Sequence, residues 1–189
     1  MELILASQSP RRRDLLTQMG LSFQIVVPHI DEHMDRPLPP DRLVETISHE
    51  KAAAVAEESG PDALIIAADT VVALDGALLG KPADTADARR MLSALSGRCH
   101  QVYTGFTVRR GPSAVTCSEC TDVTFRPLSP REIDAYIATG EPMDKAGGYG
   151  IQGRGALLVE GLRGDYFNVM GLPVCALGQV LRQFGVECL

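Results

Sequence analysis

Leu3-Ile4-Leu5-Ala6-Ser7-Gln8-Ser9-Pro10-Arg11-Arg12-Arg13-Asp14-Leu15-Leu16 changes period part-way along. Leu3 to Ala6 is an unbroken apolar run of strand length, whereas Leu15, Leu16 and Met19 recur at helical spacing. Between the two, Ser9 suits an N-cap and Pro10 the first helical position, where no intrahelical N–H is needed. Gly20 supplies the stop. The stretch predicts a strand feeding straight into a helix. Arginines in the first turn oppose the helix dipole, at roughly 0.3–1 kcal/mol each. Their placement makes sense if an anion binds, because backbone N–H groups, the hydroxyls of Ser7 and Ser9 and guanidinium forks together suit a phosphate. The plainer reading is an exposed basic turn kept soluble by Asp14.

Working outward, Phe23, Ile25 and Val27 alternate as a second strand, followed by a proline-bounded polar loop from Pro28 to Pro37. About Asp41 to Ser59 reads as a long helix with Leu43, Val44, Ile47, Ala54 and Val55 inward and Gly60 ending it. Leu64 to Ala68 is apolar without alternation, as in a central strand covered on both faces. Val71 to Leu74 and Ala77 to Leu79 flank Asp75-Gly76, a type I′ hairpin signal. Ala86 to Ser96 reads as a helix with Met91, Leu92 and Leu95 inward and Gly97 as its stop. Val102 to Arg109 and Val115 to Phe125 read as antiparallel strands around Gly111-Pro112. Ser129-Pro130-Arg131-Glu132 is a capping box opening a helix on Ile133, Tyr136 and Ile137, closed by Gly140. A glycine-rich stretch, Ala146 to Gly155, precedes an apolar strand at Ala156 to Val159, and Pro173 starts a last helix on Val174, Leu177, Val180 and Leu181. Strands and helices in alternation, with hairpins among them, predict an α/β fold on a mixed sheet, and no linker or repeat divides residues 1–189 into more than one domain.

Composition narrows the function. A hydrophobic fraction of 45% with 22% charged residues is that of an ordinary soluble globular chain. A net charge of −6 argues against binding a nucleic-acid polymer, so local basic clusters point instead to a small anionic ligand. No apolar run approaches the about 20 residues that span a membrane. The short amino-terminal apolar stretch, flanked by Glu2 and the arginines, does not read as a signal peptide, which predicts a cytoplasmic protein. Five cysteines do not suggest a disulfide framework. Cys117 and Cys120 lie three apart on a predicted strand, so they point to opposite faces rather than toward one metal. None of His29, His33, His49 and His100 has zinc spacing.

Three further places carry chemistry. Asp69, in Ala68-Asp69-Thr70, is expected at the end of the buried strand, where α/β sheets bind ligands. A partly desolvated carboxylate there suits a divalent cation or the proton of a water. The alternative is an aspartate that satisfies a turn. Gly80-Lys81-Pro82 aims a lysine that reads equally as a phosphate contact or a solvated turn cation, and Ser48 and Lys51 share a helix face, although a lone helix lysine is nearly always solvated. Asp144 to Gly153 is too rich in glycine for a plain connection and lets backbone approach a ligand closely. Within it, Gln152 carries a donor and an acceptor, the pair needed to read a base edge with a carbonyl beside an N–H. Neither a Walker loop nor a dinucleotide fingerprint is present, since no Lys-Ser/Thr pair closes the stretch and no helix is expected after it.

Ser7 to Arg12, Ser48 to Lys51, Ala68 to Val72, Gly80 to Pro82, Thr104-Gly105, Asp144 to Gly153 and Asn168 to Pro173 together resemble the Maf family of nucleoside triphosphate pyrophosphatases, in order and at the family's spacing from residue 3 to about 183. The resemblance implies a Maf/inosine-triphosphatase-like α/β fold, with a long twisted mixed sheet flanked by helices, a cleft between two lobes and, usually, a homodimer. It also implies hydrolysis of a nucleoside triphosphate between the α and β phosphates, with Mg²⁺ or Mn²⁺. Carried over, Asp69 looks like the catalytic acidic residue, as base for the water or as metal ligand, and Glu32 like a second carboxylate able to reach metal or water. Lys51 and Lys81, with Arg12 and Arg13, would clamp phosphates, helped by Ser7 and Ser9.

Arg11, Thr70 and Gln152 match the branch of the family that acts on dTTP and UTP. The branch acting on 7-methyl-GTP resembles a different pattern, with glutamine after the catalytic aspartate and glutamate in place of Gln152. A glutamate accepts from guanine N1–H and N2–H, whereas the Gln152 amide pairs with O4 and N3–H of thymine or uracil. Two other expectations compete with the dTTP/UTP reading: a 7-methyl-GTP-type enzyme, and a nucleotide-binding regulator of septation in which hydrolysis is incidental. A pure binder has no need of a carboxylate such as Asp69 beside three phosphates.

Overall fold

The computed structural model describes residues 2–31, 34 and 36–189. Strands and helices alternate: β1 (Leu3–Ala6), α1 (Pro10–Gln18), β2 (Gln24–Ile25), α2 (Pro40–Glu58), β3 (Leu64–Leu74), β4 (Ala77–Leu79), α3 (Thr85–Leu95), β5 (Cys99–Arg110), β6 (Ser113–Phe125), α4 (Pro130–Ile137), β7 (Val159–Arg163), α5 (Tyr166–Met170) and α6 (Val174–Gln183). The strands make one mixed seven-stranded sheet in the order β2-β1-β3-β5-β6-β7, with β4 paired to β3 off this path. β1 runs parallel to both β2 and β3. β3 pairs antiparallel with β4, and β6 with β7. The α/β class and the mixed sheet read from the sequence are therefore present.

By its internal contacts the chain divides into two compact units. The first runs up to Asp69 and adds Thr104–Glu119 and Gly171–Leu189; the second holds Thr70–Tyr103 and Cys120–Met170. In the first, Ile4, Ala6, Ile65 and Ala67 from the parallel strands pack with Ala52 and Val55 of α2. Gly105 on β5 decides how closely that helix approaches, since a Cβ there would lie 2.4 Å from the backbone carbon of Val44. In the second, Met91, Leu92 and Leu95 of α3 and Ile133, Tyr136 and Ile137 of α4 share a core with Val102, Val123 and Phe125. His100 stands among Phe125 and Tyr149 in edge-on ring contacts, and burial pulls its imidazole down to a pKa of about 4.

Local chemistry set most boundaries. Ser9 caps α1, with Pro10 at its first position and Gly20 at φ 76° just beyond its end. Asp75 and Gly76 both take positive φ, as a type I′ turn requires. The capping box of Ser129 and Glu132 is formed in both directions, and hydrogen bonds from Arg126 and Ser129 hold the Glu132 carboxyl down at about 2.

The sequence reading is corrected at several places. β3 does not end before Asp69 but continues to Leu74, because extended backbone carries on through the polar Asp69-Thr70 step into the antiparallel pairing with β4. β2 keeps only two paired residues at the sheet edge. The strand expected at Ala156 to Val159 begins at Val159, since Gly153, at φ 65°, starts a run of 3₁₀ turns through Leu157. Ala54 is half-buried, while the inward face of α2 includes Ser48, Lys51 and Ala52. The short helix α5 was not expected.

Candidate active site

The parallel register brings the first elements of the site together. Ala6 pairs with Ala67, so Ser7 and Asp69 both lie just past the same end of the β1–β3 pairing. Ser7 is buried, and its hydroxyl accepts from Ser9 N–H at 3.2 Å and from Arg12 Nη1 at 3.2 Å. Ser9 Oγ in turn accepts from Arg12 N–H at 3.5 Å. The two serines thus brace the turn into α1 and aim Arg12. Arg12 is buried, and its Nε donates to the carbonyl of Gly171 at 2.8 Å. An arginine folded inward at a helix amino end, with no acidic residue in the first turn, concentrates positive potential there. Arg11 is half-buried. Arg13 is exposed and sits 3.7 Å from Asp14, which matches the plainer reading of a solvated basic turn for that residue.

Asp69 forms the acidic centre. Its Oδ1 accepts from Lys51 Nζ at 2.7 Å, with both side chains more than nine-tenths buried. Lys51 is therefore not the solvated helix lysine that its position suggested. The face of α2 carrying Val44, Ile47 and Lys51 turns inward, and the bare α-carbon of Gly105 allows that face to lie against β5. Asp69 Oδ2 is buried and has no hydrogen-bond partner among the described residues. Such an atom is costly to leave unmatched, by about 1–3 kcal/mol or more for a charged group. Ser48, on the same helix face as Lys51, joins a hydroxyl chain: it donates to Glu45 O and meets Thr107 Oγ1 at 2.9 Å. Thr107 Oγ1 meets Thr116 Oγ1 at the same distance.

The second unit holds the other expected residues. Thr70 follows Asp69 on β3 and is half-buried. Lys81 is exposed, in a segment whose preceding carbonyl, Gly80 O, accepts from Gly147 N–H at 3.0 Å. Gly147, at φ 71°, packs its α-carbon on Val72, where a Cβ would come within 2.9 Å. Gln152 is exposed at the head of the turn that starts with Gly153. Glu32 lies outside the described residues. Among the described residues no group of three or more His, Cys, Asp or Glu side chains gathers as a ready-made cation site. No disulfide is present among them. No helix among them is long and apolar enough to cross a membrane.

Sequence reasoning missed two features. Gly171 contributes a carbonyl, invisible to residue-type reasoning, although its place in Asn168 to Pro173 drew attention to the segment. Tyr136, read only as a core residue, and Glu141, given no role by the sequence, organise the glycine-rich stretch.

A family model described as Maf-like protein matches residues 2–184. The chain belongs to the Maf family. A relative from Moorella thermoacetica, named dTTP/UTP pyrophosphatase, is 56% identical, with the match covering 98% of this chain and 96% of that one. Another of the same name, from Symbiobacterium thermophilum, is 52% identical over 97% of this chain and 94% of its own. Among solved structures, a HAM1 protein from Coxiella burnetii matches with a TM-score of 0.53, covering 97% of this Maf chain and 99% of the other. At 16% identity that likeness speaks for the fold alone.

Proposed function

We propose that this Maf chain hydrolyses dTTP and UTP to the nucleoside monophosphate and pyrophosphate. The observation that carries the reading is the buried Lys51–Asp69 pair with Asp69 Oδ2 left over, beside the arginine-bearing end of α1. The pair uses one carboxylate oxygen and leaves the other as an acceptor for a ligand. The relatives' names support the same activity.

In the reaction, a water oxygen bonds to the α phosphorus as the bond from that phosphorus to the bridging oxygen breaks, and the bridging oxygen leaves with pyrophosphate. Lys51 holds Asp69 through Oδ1 and leaves Oδ2 open, so that atom serves as the site's acceptor, for the proton of the attacking water or for a cation. Arg12 at the α1 end binds phosphate oxygens, with Lys81 as the family resemblance assigns, and Ser7 and Ser9 fix the loop that aims Arg12. A divalent ion, Mg²⁺ or Mn²⁺, fits the unmatched Oδ2 of Asp69, with Glu32 as the second ligand that the family resemblance assigns. When bound, it neutralises phosphate charge. Arg11, Thr70 and Gln152 choose the base, the Gln152 amide donating to O4 and accepting from N3–H. The homodimer implied by the family resemblance, and a cytoplasmic setting, belong to the same proposal.

Pyrophosphate release from dTTP, UTP, dCTP, GTP and 7-methyl-GTP, with Mg²⁺ or Mn²⁺, tests it. Wild type turns over dTTP and UTP with little activity on GTP, and Asp69→Asn loses about a thousandfold in kcat. Equal rates in the variant refute the role of Asp69. Preference for 7-methyl-GTP overturns the base assignment.

A further inference from the structure

The turn that presents Gln152 is held in an unusual way. Gln152, Gly153 and Arg154 are exposed, and the Gln152 amide makes no hydrogen bond among the described residues. Yet the backbone on either side is fixed by two side chains from the end of α4 and the segment after it. Tyr136 is buried; its hydroxyl accepts from Gly150 N–H at 3.1 Å and donates to Glu141 Oε1 at 2.9 Å. The Glu141 carboxylate accepts from Gly155 N–H at 3.0 Å through Oε1 and from Arg154 N–H at 3.1 Å through Oε2. Burial pushes the Glu141 carboxyl upward, but the Gly155, Tyr136 and Arg154 donors and the charge of Lys145 outweigh it and leave it below the ordinary range.

Sterics close the same turn. A Cβ on Gly155 would lie 2.0 Å from Gly150 O and 2.7 Å from the Tyr136 hydroxyl, and one on Gly153 would lie 2.8 Å from Glu141 Oε2. The glycines are therefore required by the carboxylate and hydroxyl inside the turn. One step earlier, the Tyr149 hydroxyl meets His100 Nε2 at 2.7 Å, and Lys145 Nζ donates to the Glu141 carbonyl at 2.7 Å, so the approach to the turn is fixed as well. A rigidly held backbone bearing an uncommitted amide is the arrangement expected where a side chain must meet a ligand at a defined distance.

We infer that Tyr136 and Glu141 are positioning residues for base selection, pinning both legs of the turn whose apex is Gln152. The inference rests on the reading of Gln152 as the base-contacting residue. Glu141→Gln replaces an acceptor with an amide N–H₂ that opposes the Arg154 or Gly155 N–H, and Tyr136→Phe removes the Gly150 anchor, each with little change of volume.

The test measures kcat and KM on dTTP and dCTP for wild type, Tyr136→Phe, Glu141→Gln and Gln152→Ala, together with amide hydrogen exchange over 150–155. Cytosine is the informative competitor, because it presents a donor and an acceptor where thymine presents an acceptor and a donor, so it pairs only with the Gln152 amide turned over, which a loosened turn would admit. The expected result is a fall of about tenfold in the dTTP-to-dCTP ratio of kcat/KM in both positioning variants. It should arise mainly from KM for dTTP, with faster exchange at Gly150, Arg154 and Gly155. Unchanged exchange overturns the pinning, and faster exchange with wild-type discrimination overturns its role in selection. If Gln152→Ala loses discrimination while the other two keep it, the positioning claim alone fails. If Gln152→Ala keeps discrimination, base reading by Gln152 fails and the inference falls with it.

Discussion

Asp69 and Gln152 are presented by opposite means. Asp69 stands inside a regular strand, buried, with the Lys51 ammonium 2.7 Å away on a regular helix. Gln152 stands exposed in an irregular turn, held through its neighbours' backbone by one tyrosine and one carboxylate. In the first region the side chains proposed to act are themselves the structural contacts, so each change is felt twice. In the second the structural contacts lie beside the side chain proposed to read the base, which is left to be exchanged. Chemistry that must not vary suits the first design, and selectivity that differs between branches of a family suits the second.

The sharpest way to break this contrast is to remove the lysine. Lys51→Met keeps the stem and deletes the charge, leaving Asp69 buried with neither oxygen matched. Stability should fall by about 3–5 kcal/mol, read from urea unfolding at neutral pH, since an uncompensated buried charge is the costly product of breaking such a pair. The double variant Lys51→Met/Asp69→Asn should recover most of that loss while remaining inactive. If Lys51→Met alone unfolds like wild type, the pair is not the structural contact described.

A smaller effect comes from His100, which lies in the second unit and fixes Tyr149 just before the turn. Its folded-state pKa is pulled by burial to about 4, below the ordinary 6.5. Between these values the unfolded chain binds a proton that the folded chain refuses, so stability is full above pH 6.5 and declines as the pH falls toward 4. The total is about 3 kcal/mol, of which about 2 should be lost between pH 6.5 and 5. The lowered carboxyls of Glu132 and Glu141 lose their contribution only below about 4.5, so this window isolates the histidine. Urea midpoints should drop across it in wild type and stay nearly level in His100→Gln; equal slopes in the two proteins exclude His100 as the cause.

How legible each region was follows from the same contrast. The strand–turn–helix at Leu3 to Leu16, the caps of α1 and α4 and the Asp75-Gly76 turn were readable because each rests on local chemistry that residue types announce. Lys51 was not readable from the residues alone. Its burial depends on Gly105, more than fifty residues away, letting α2 settle against β5, and only the family resemblance drew it into the site. The continuation of β3 through Asp69 was hidden because polar residues ended the apolar run while the backbone stayed extended. Tyr136 was read correctly as buried, yet its hydroxyl, the part that matters to the turn, leaves no trace in hydrophobic spacing.

The smallest expected effect discriminates most finely. Gln152→Glu changes only the exposed apex, and because the Gln152 amide holds no structural bond, unfolding free energy should move by no more than about 0.5 kcal/mol. Toward substrate the exchange is not small. A carboxylate accepts from thymine N3–H as the amide does, but it meets O4 with a second acceptor in place of a donor. That mismatch, about 1–2 kcal/mol, predicts a fall of roughly tenfold or more in kcat/KM for dTTP and UTP. Guanine, with adjacent N1–H and N2–H donors, escapes this penalty, so the ratio of GTP to dTTP turnover should rise even if the rest of the pocket keeps GTP a poor substrate. Steady-state kinetics on dTTP, UTP and GTP, with a urea melt of the same preparation, reads both halves. A stability loss matching that of Lys51→Met, or an unchanged GTP-to-dTTP ratio, would show that apex and anchor are not separable and that the turn does not work by the division of labour drawn here.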